Sequence, residues 1–143
     1  MHLKAVDQLK ICGYKSPILK MNLPKIKIVI IDDEEDLCFL LSNMLNTYGF
    51  EVSYFHNLSS GMEGLREIQP DWVIIDNNLP DGLGWEKVDE ITDLVEKVRI
   101  IKISASPDSF KAKYREFVHY LIKPIDVNSI VALVNAKSNS GKT

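Results

Sequence analysis

Apolar residues along this chain fall into two alternating rhythms. Short runs rich in isoleucine and valine occupy residues 26–31, 72–75, 99–104 and 118–122, with a less apolar one at 51–55. Such runs have the length and β-branched content of strands. Between them the spacing changes. Leu37, Leu40, Leu41, Met44 and Leu45 recur at helical intervals over residues 36–48, and Gly49 stands where a helix C-terminus is expected. Residues 59–68 repeat the pattern with Met62 and Leu65, and Pro70 marks the stop. A third helix is predicted over 85–95, with Val88, Ile91, Leu94 and Val95 on one face. A fourth is predicted to open at Pro107, and a last one to span 127–136 behind Asp126 as N-cap.

Five strand-then-helix units with short connections predict an α/β domain, a parallel sheet covered by helices on both faces. Coverage on both faces explains why the strands are continuous apolar runs. Right-handed crossovers narrow the topology to a doubly wound sheet, in which ligands bind at the carboxyl ends of the strands. The domain is expected over residues 25–137, after an extension at 1–24 and before a flexible tail at 138–143. Met21 lies just ahead of the domain and is an alternative start.

Composition removes several function classes. The 143 residues carry a net charge of −3, which argues against a nucleic-acid surface. No apolar run approaches the roughly 20 residues needed to span a bilayer. The first residues show no signal-peptide core, so a cytoplasmic setting without membrane attachment is expected. Cys12 and Cys38 match neither a disulfide scaffold nor a metal motif, and Cys38 reads as a small apolar residue within a helix. His2, His56 and His119 lack ligand-like spacing.

The strand ends carry the chemistry. Asp32, Asp33 and Glu34 follow the first strand, Asp76 the third, Ser104 and Ala105 the fourth, and Lys123 and Pro124 the fifth. Crowded carboxylates repel one another unless a cation sits among them. Oxygen ligands without cysteine or histidine suit a hard divalent ion, most naturally Mg²⁺. Mg²⁺ takes one or two carboxylates plus phosphate oxygens, so the edge is suited to a metal beside a phosphoryl group. Lys123 offers a second positive charge and Ser104 a hydroxyl to a phosphoryl oxygen. The candidate nucleophile is a carboxylate, which can form an aspartyl-phosphate. Helix capping by Asp32 or Asp33 is the competing explanation for those residues. Glu34, Glu35 and Asp36 read as a solvated helix start, with Glu34 near enough to brush the site.

Four segments in order then resemble the receiver domains of two-component response regulators: "IVIIDDEED", "DNNLPDGLG", "ISAS" and "YLIKP". The resemblance spans about Lys25 to Ala136. It implies a flavodoxin-like (βα)5 fold with strand order 2-1-3-4-5. It implies that Asp76 is the phospho-acceptor and that Asp33 binds Mg²⁺ directly, with Asp32 acting through water. Asn78 would lend its backbone carbonyl to the metal. Ser104 would turn toward the phosphoryl group, Tyr120 would move with it as a switch, and Lys123 would pair with the phosphate. Pro124 would follow a cis peptide. The implied partners are a sensor histidine kinase or phosphotransfer protein, and a downstream protein target.

The interval from Ser104 to Lys123 is short for a receiver, and Glu116-Phe117 replaces a usual small pair, so a shortened fourth helix is expected. Two other readings stand beside phosphotransfer. One is a protein-interaction scaffold of the same shape without the chemistry. The other is a small phosphohydrolase, which would be expected to carry a second aspartate where Asn78 stands. The phosphotransfer reading describes a self-phosphorylating module with slow autodephosphorylation, not a conventional enzyme.

Overall fold

The computed structural model describes residues 24–106 and 116–140. Its elements run β1 (Lys27–Ile31), α1 (Glu35–Thr47), β2 (Glu51–Phe55), α2 (Leu58–Ile68) and β3 (Trp72–Asp76). A small antiparallel hairpin follows, β4 (Asn78–Leu79) and β5 (Gly82–Leu83), then a 3-10 turn at Gly84–Lys87 and α3 (Val88–Leu94). The chain continues through β6 (Arg99–Ser104), β7 (Val118–Ile122) and α4 (Val127–Ser140). The five long strands form one parallel sheet in the order β2-β1-β3-β6-β7. With the hairpin set aside, this is the expected order 2-1-3-4-5. The helix predicted to open at Pro107 lies outside the described residues.

Strand residues alternate between two apolar layers because successive side chains leave opposite faces of a strand. Val29, Ile31, Val73, Ile75 and Ile100 pack against Met62 and Leu65 of α2 and Ile91 of α3. Ile28, Ile30, Ile74, Ile101 and Ile103 pack against Leu41 and Leu45 of α1 and Ile130 and Val134 of α4. Cys38 belongs to this second layer and is fully buried, as a small apolar residue would be. Trp72 is also a core residue.

Helix ends agree with the sequence in part. Gly49 takes φ +93° just past α1, a conformation that disfavours side chains. Asp126 caps α4 by accepting the Asn128 backbone N–H at 3.1 Å. The C-terminus of α2 is closed by Gln69 in the left-handed region, with φ 52°. The helix predicted over 85–95 is a 3-10 turn followed by a short α-helix, because the chain must first turn out of the hairpin.

Candidate functional site

The carboxyl edge of the sheet gathers residues from four separate strand ends. Asp32 follows β1 and is fully buried. Its backbone N–H donates to the Phe55 carbonyl at 3.0 Å, which extends the β1–β2 ladder by one step. Its Oδ1 accepts the Glu34 backbone N–H at 2.8 Å. Its own carbonyl accepts the Cys38 S–H at 3.3 Å and lies 3.0 Å from His56 Nδ1. Asp32 is thereby locked from every side except its second carboxylate oxygen. Asp33 is exposed beside it.

Asp76 ends β3 paired with Ile103 and is 6% exposed. Oxygen atoms of Asp32, Asp33 and Asp76 all lie within 4.8 Å of one another. Lys123 meets this cluster from the end of β7. Its Nζ lies 3.0 Å from Asp32 Oδ2 and 3.6 Å from Asp76 Oδ1, and it hydrogen-bonds the Glu34 carboxylate. The Lys123 backbone N–H donates to the Ser104 carbonyl at 2.8 Å, which fixes the lysine relative to β6. The Lys123–Pro124 peptide is cis, as the resemblance implies. Ser104 is buried, and its hydroxyl oxygen accepts the Ser106 N–H at 3.1 Å.

Electrostatics follow from the crowding. Burial raises the Asp32 carboxyl above its usual range, partly opposed by the Glu34 N–H and by Lys123. Burial raises Asp76 too, and the neighbouring Asp32 charge adds to the effect. For Lys123, burial alone would lower the pKa; hydrogen bonds to Glu34 and Asp32, and the Asp32 and Asp76 charges, outweigh it and hold the ammonium charged. Cys38 is pushed up to about 12, by burial first and then by Asp32, so its thiol stays protonated. Among the described residues one ammonium faces several carboxylates, a charge balance that a further cation improves. Asp32 Oδ2 is buried and faces the Lys123 ammonium at 3.0 Å, with no other donor to it among the described residues. A buried carboxylate oxygen so placed, in a cluster whose three candidate ligands among the described residues are all carboxylates, fits a hard divalent cation.

The acceptor loop is a built structure. The Asn77 side-chain oxygen accepts the Trp85 N–H at 3.1 Å, and its carbonyl accepts the Gly84 N–H at 2.8 Å. A Cβ on Gly84 would sit 2.2 Å from the Asp76 carbonyl oxygen, so this close approach requires glycine. Asn78 is exposed and opens the hairpin two residues beyond Asp76. Asp81 caps α2 with both oxygens, accepting the Leu58 and Ser59 N–H groups at 2.7 and 2.9 Å, and these bonds lower its pKa. Tyr120 stands half-buried on β7 with its ring edge-on to Trp85 at 6.2 Å.

Sequence reasoning brought Asp32, Asp33, Asp76, Ser104 and Lys123 to this edge, and the structure places them there. It passed over Asp81, whose partners are more than twenty residues away, and His56, whose ring contacts the Asp32 carbonyl. A signal for Asp81 existed, since aspartate followed by glycine is common in tight turns, but nothing local names the helix it caps.

Residues 28–135 match the model of the response regulator receiver domain family. The chain is 30% identical over 116 residues to the DNA-binding transcriptional regulator NtrC of Azospirillum brasilense, covering 79% of this chain and 24% of that regulator. It therefore spans about a quarter of that relative's length. A CheY-like receiver domain from Methylobacillus flagellatus superposes with a TM-score of 0.72 at 24% identity, covering 79% of this chain and 98% of that one. A response regulator from Burkholderia pseudomallei, solved with a phosphorylated aspartic acid and a calcium ion, superposes at 0.66 with 22% identity over 82% and 72% of the chains. The chain belongs to the response regulator receiver domain family and is a receiver module of two-component signalling. Among the described residues, no helix is long and apolar enough to cross a membrane.

Proposed function

We propose that Asp76 accepts a phosphoryl group from the phosphohistidine of a sensor histidine kinase or phosphotransfer protein, with Mg²⁺ held by the acidic cluster. The observation that carries this reading is the convergence of three carboxylates within 4.8 Å beside the half-buried Lys123. Asp33 and Asp76 would hold the ion through carboxylate oxygens, Asp32 through water, and Asn78 through its backbone carbonyl. When bound, the ion supplies charge neutralisation for the phosphoryl oxygens.

The remaining chemistry belongs to this chain. The strongly apolar β3 fixes the Asp76 carboxylate in position for in-line attack on phosphorus. A new P–O bond forms as the P–N bond breaks, and the histidine nitrogen keeps the electron pair and takes a proton from solvent. Lys123, already 3.6 Å from Asp76, pairs with a phosphoryl oxygen and stabilises charge as it develops. The Ser104 hydroxyl turns from its Ser106 contact to donate a further hydrogen bond. Tyr120, on the adjacent strand, follows Ser104 and alters a surface read by a downstream protein. The phosphorylated aspartic acid in the similar Burkholderia pseudomallei protein supports the same assignment.

Intact mass spectrometry after incubation with acetyl phosphate tests the reading. A gain of one phosphate is expected with Mg²⁺, and none with chelator or in Asp76→Asn. A folded wild-type chain that gains no mass would favour the scaffold reading, in which the receiver shape binds partners unmodified.

A further inference from the structure

Lys102 breaks the pattern of its strand. Its neighbours Ile100, Ile101 and Ile103 are fully buried, and Lys102 itself is only 7% exposed. An apolar side chain of similar length would fill this place without drawing an ammonium away from water. The destination of that ammonium is specific. Nζ lies 5.1 Å from the Trp85 ring centroid and 5.5 Å from that of Tyr120, within cation–π range of both. In the sheet, Lys102 is level with Ile75 on one side and Tyr120 on the other.

The two rings belong to different parts of the site. Trp85 is bolted to the acceptor strand and its loop. Its indole N–H donates to the Ile75 carbonyl at 3.3 Å, and its backbone N–H to the Asn77 side chain at 3.1 Å. Tyr120 stands on β7, the strand that ends in the ion-paired Lys123. The Lys102 cation thus bridges an aromatic fixed to the acceptor loop and an aromatic on the strand that delivers the lysine.

We infer that Lys102 is a positioning residue for Tyr120. Its cation holds the phenol ring against Trp85, so that displacement of the acceptor loop reaches Tyr120 by a route that does not pass through Ser104. This deepens the reading of Asp76 as acceptor and Tyr120 as switch, but the contact exists in the unmodified chain and is testable there.

The experiment is ¹⁹F NMR of the full chain carrying 3-fluorotyrosine, with the Tyr120 signal identified by its loss in Tyr120→Phe. Lys102→Met keeps the length of the side chain and removes its charge, whereas Lys102→Arg keeps the charge. In unmodified protein, Lys102→Met is expected to move the Tyr120 signal and enlarge its H₂O/D₂O isotope shift, the mark of greater solvent exposure. Lys102→Arg should hold it near the wild-type position. Trp85→Leu breaks the bridge from its other end and should reproduce the methionine result. A lysine that merely fills space gives the opposite order, with methionine silent and arginine disruptive, and that order overturns the inference.

With Mg²⁺ and acetyl phosphate, the Tyr120 signal should still respond in Ser104→Ala and lose that response in Ser104→Ala/Lys102→Met. A Tyr120 signal that is motionless in a phosphorylated Ser104→Ala chain overturns the separate route. If wild type takes up no phosphate, the reading of Asp76 fails, while the spectra of unmodified protein still decide the role of Lys102.

Discussion

Asp71 and Asp76 bracket the same strand and carry the same side chain, yet the fold treats them in opposite ways. Asp71, just before β3, is exposed, and its Oδ2 accepts the Lys27 N–H at 2.8 Å. Its backbone N–H donates to the Lys27 carbonyl at 2.9 Å, and its carbonyl accepts the Arg99 N–H at 3.0 Å, which ties β1, β3 and β6 together at their starts. Asp76, at the other end, is buried beside Asp32 and within reach of the Lys123 ammonium. A carboxylate that accepts a backbone N–H in the open is a fastener. A carboxylate surrounded by other carboxylates has free energy in reserve, released when a cation or a proton arrives.

Removing the ammonium should strain the crowded end most. Lys123→Met leaves Asp32 and Asp76 without their nearest cation. A loss on the order of 3 kcal/mol is expected in chemical denaturation at neutral pH without metal, recovered in part by Mg²⁺. Labelling from acetyl phosphate should slow by about 100-fold. A stability change indistinguishable from zero would mean that water screens the cluster and that the contrast with Asp71 is overdrawn.

Crowding of the backbone comes next. Gly84→Ala drives a Cβ toward the Asp76 carbonyl, where neither atom lies at the flexible end of a side chain. Denaturation should register a cost of about 1–3 kcal/mol, with slower labelling because Asp76 shifts with its carbonyl.

The third test inverts the usual expectation for a mutation. Burial and Asp32 hold the Asp76 carboxyl above its usual 3.8, so the folded protein binds this proton more tightly than the unfolded chain does. Stability is therefore lost as pH rises from 3.8 through the folded pKa. Asp76→Asn removes that loss. Its Tm in metal-free buffer should exceed the wild-type value by a few degrees at neutral pH, and the gap should close as the buffer is acidified toward 3.8. Mg²⁺ should raise the wild-type Tm and leave that of the variant nearly unmoved.

The smallest effect belongs to the fastener. Asp71→Ala removes one exposed acceptor, for about 0.5–1.5 kcal/mol, and should leave the rate of labelling unchanged. A fall in that rate would show that the two ends of β3 are mechanically linked.

How far these contrasts were legible in the sequence depends on how far apart the partners lie. The strands, both buried layers and the residues at each carboxyl edge follow from local hydrophobic rhythm, because burial on both faces writes itself into consecutive residues. The hairpin at Asn78–Leu79 and Gly82–Leu83 did not show, since two-residue strands leave no period to read. Asp81 and Lys102 escaped for a different reason. Asp81 meets its partners across 22 and 23 residues of chain. Lys102 lies in a run that reads as a strand whichever way its long side chain turns. The Glu34 ion pair with Lys123 spans 89 residues and surfaced only as a glutamate near the site. Pattern reports which face a residue occupies; it is silent on what comes to meet it there.

The spread of this site along the chain also sets an order of assembly. The carboxylates are specified by Asp32, Asp33 and Asp76, while the ammonium that balances them arrives only with Lys123, at the end of the last strand of the sheet. A ribosome adding roughly 5–20 residues per second exposes the acids some seconds before their counter-charge exists. Any folding intermediate that lacks β7 therefore holds an acidic edge with no lysine. Docking of the final strand completes the sheet and supplies that charge in a single event, so the completed charge pattern is itself a signature of a fully assembled sheet.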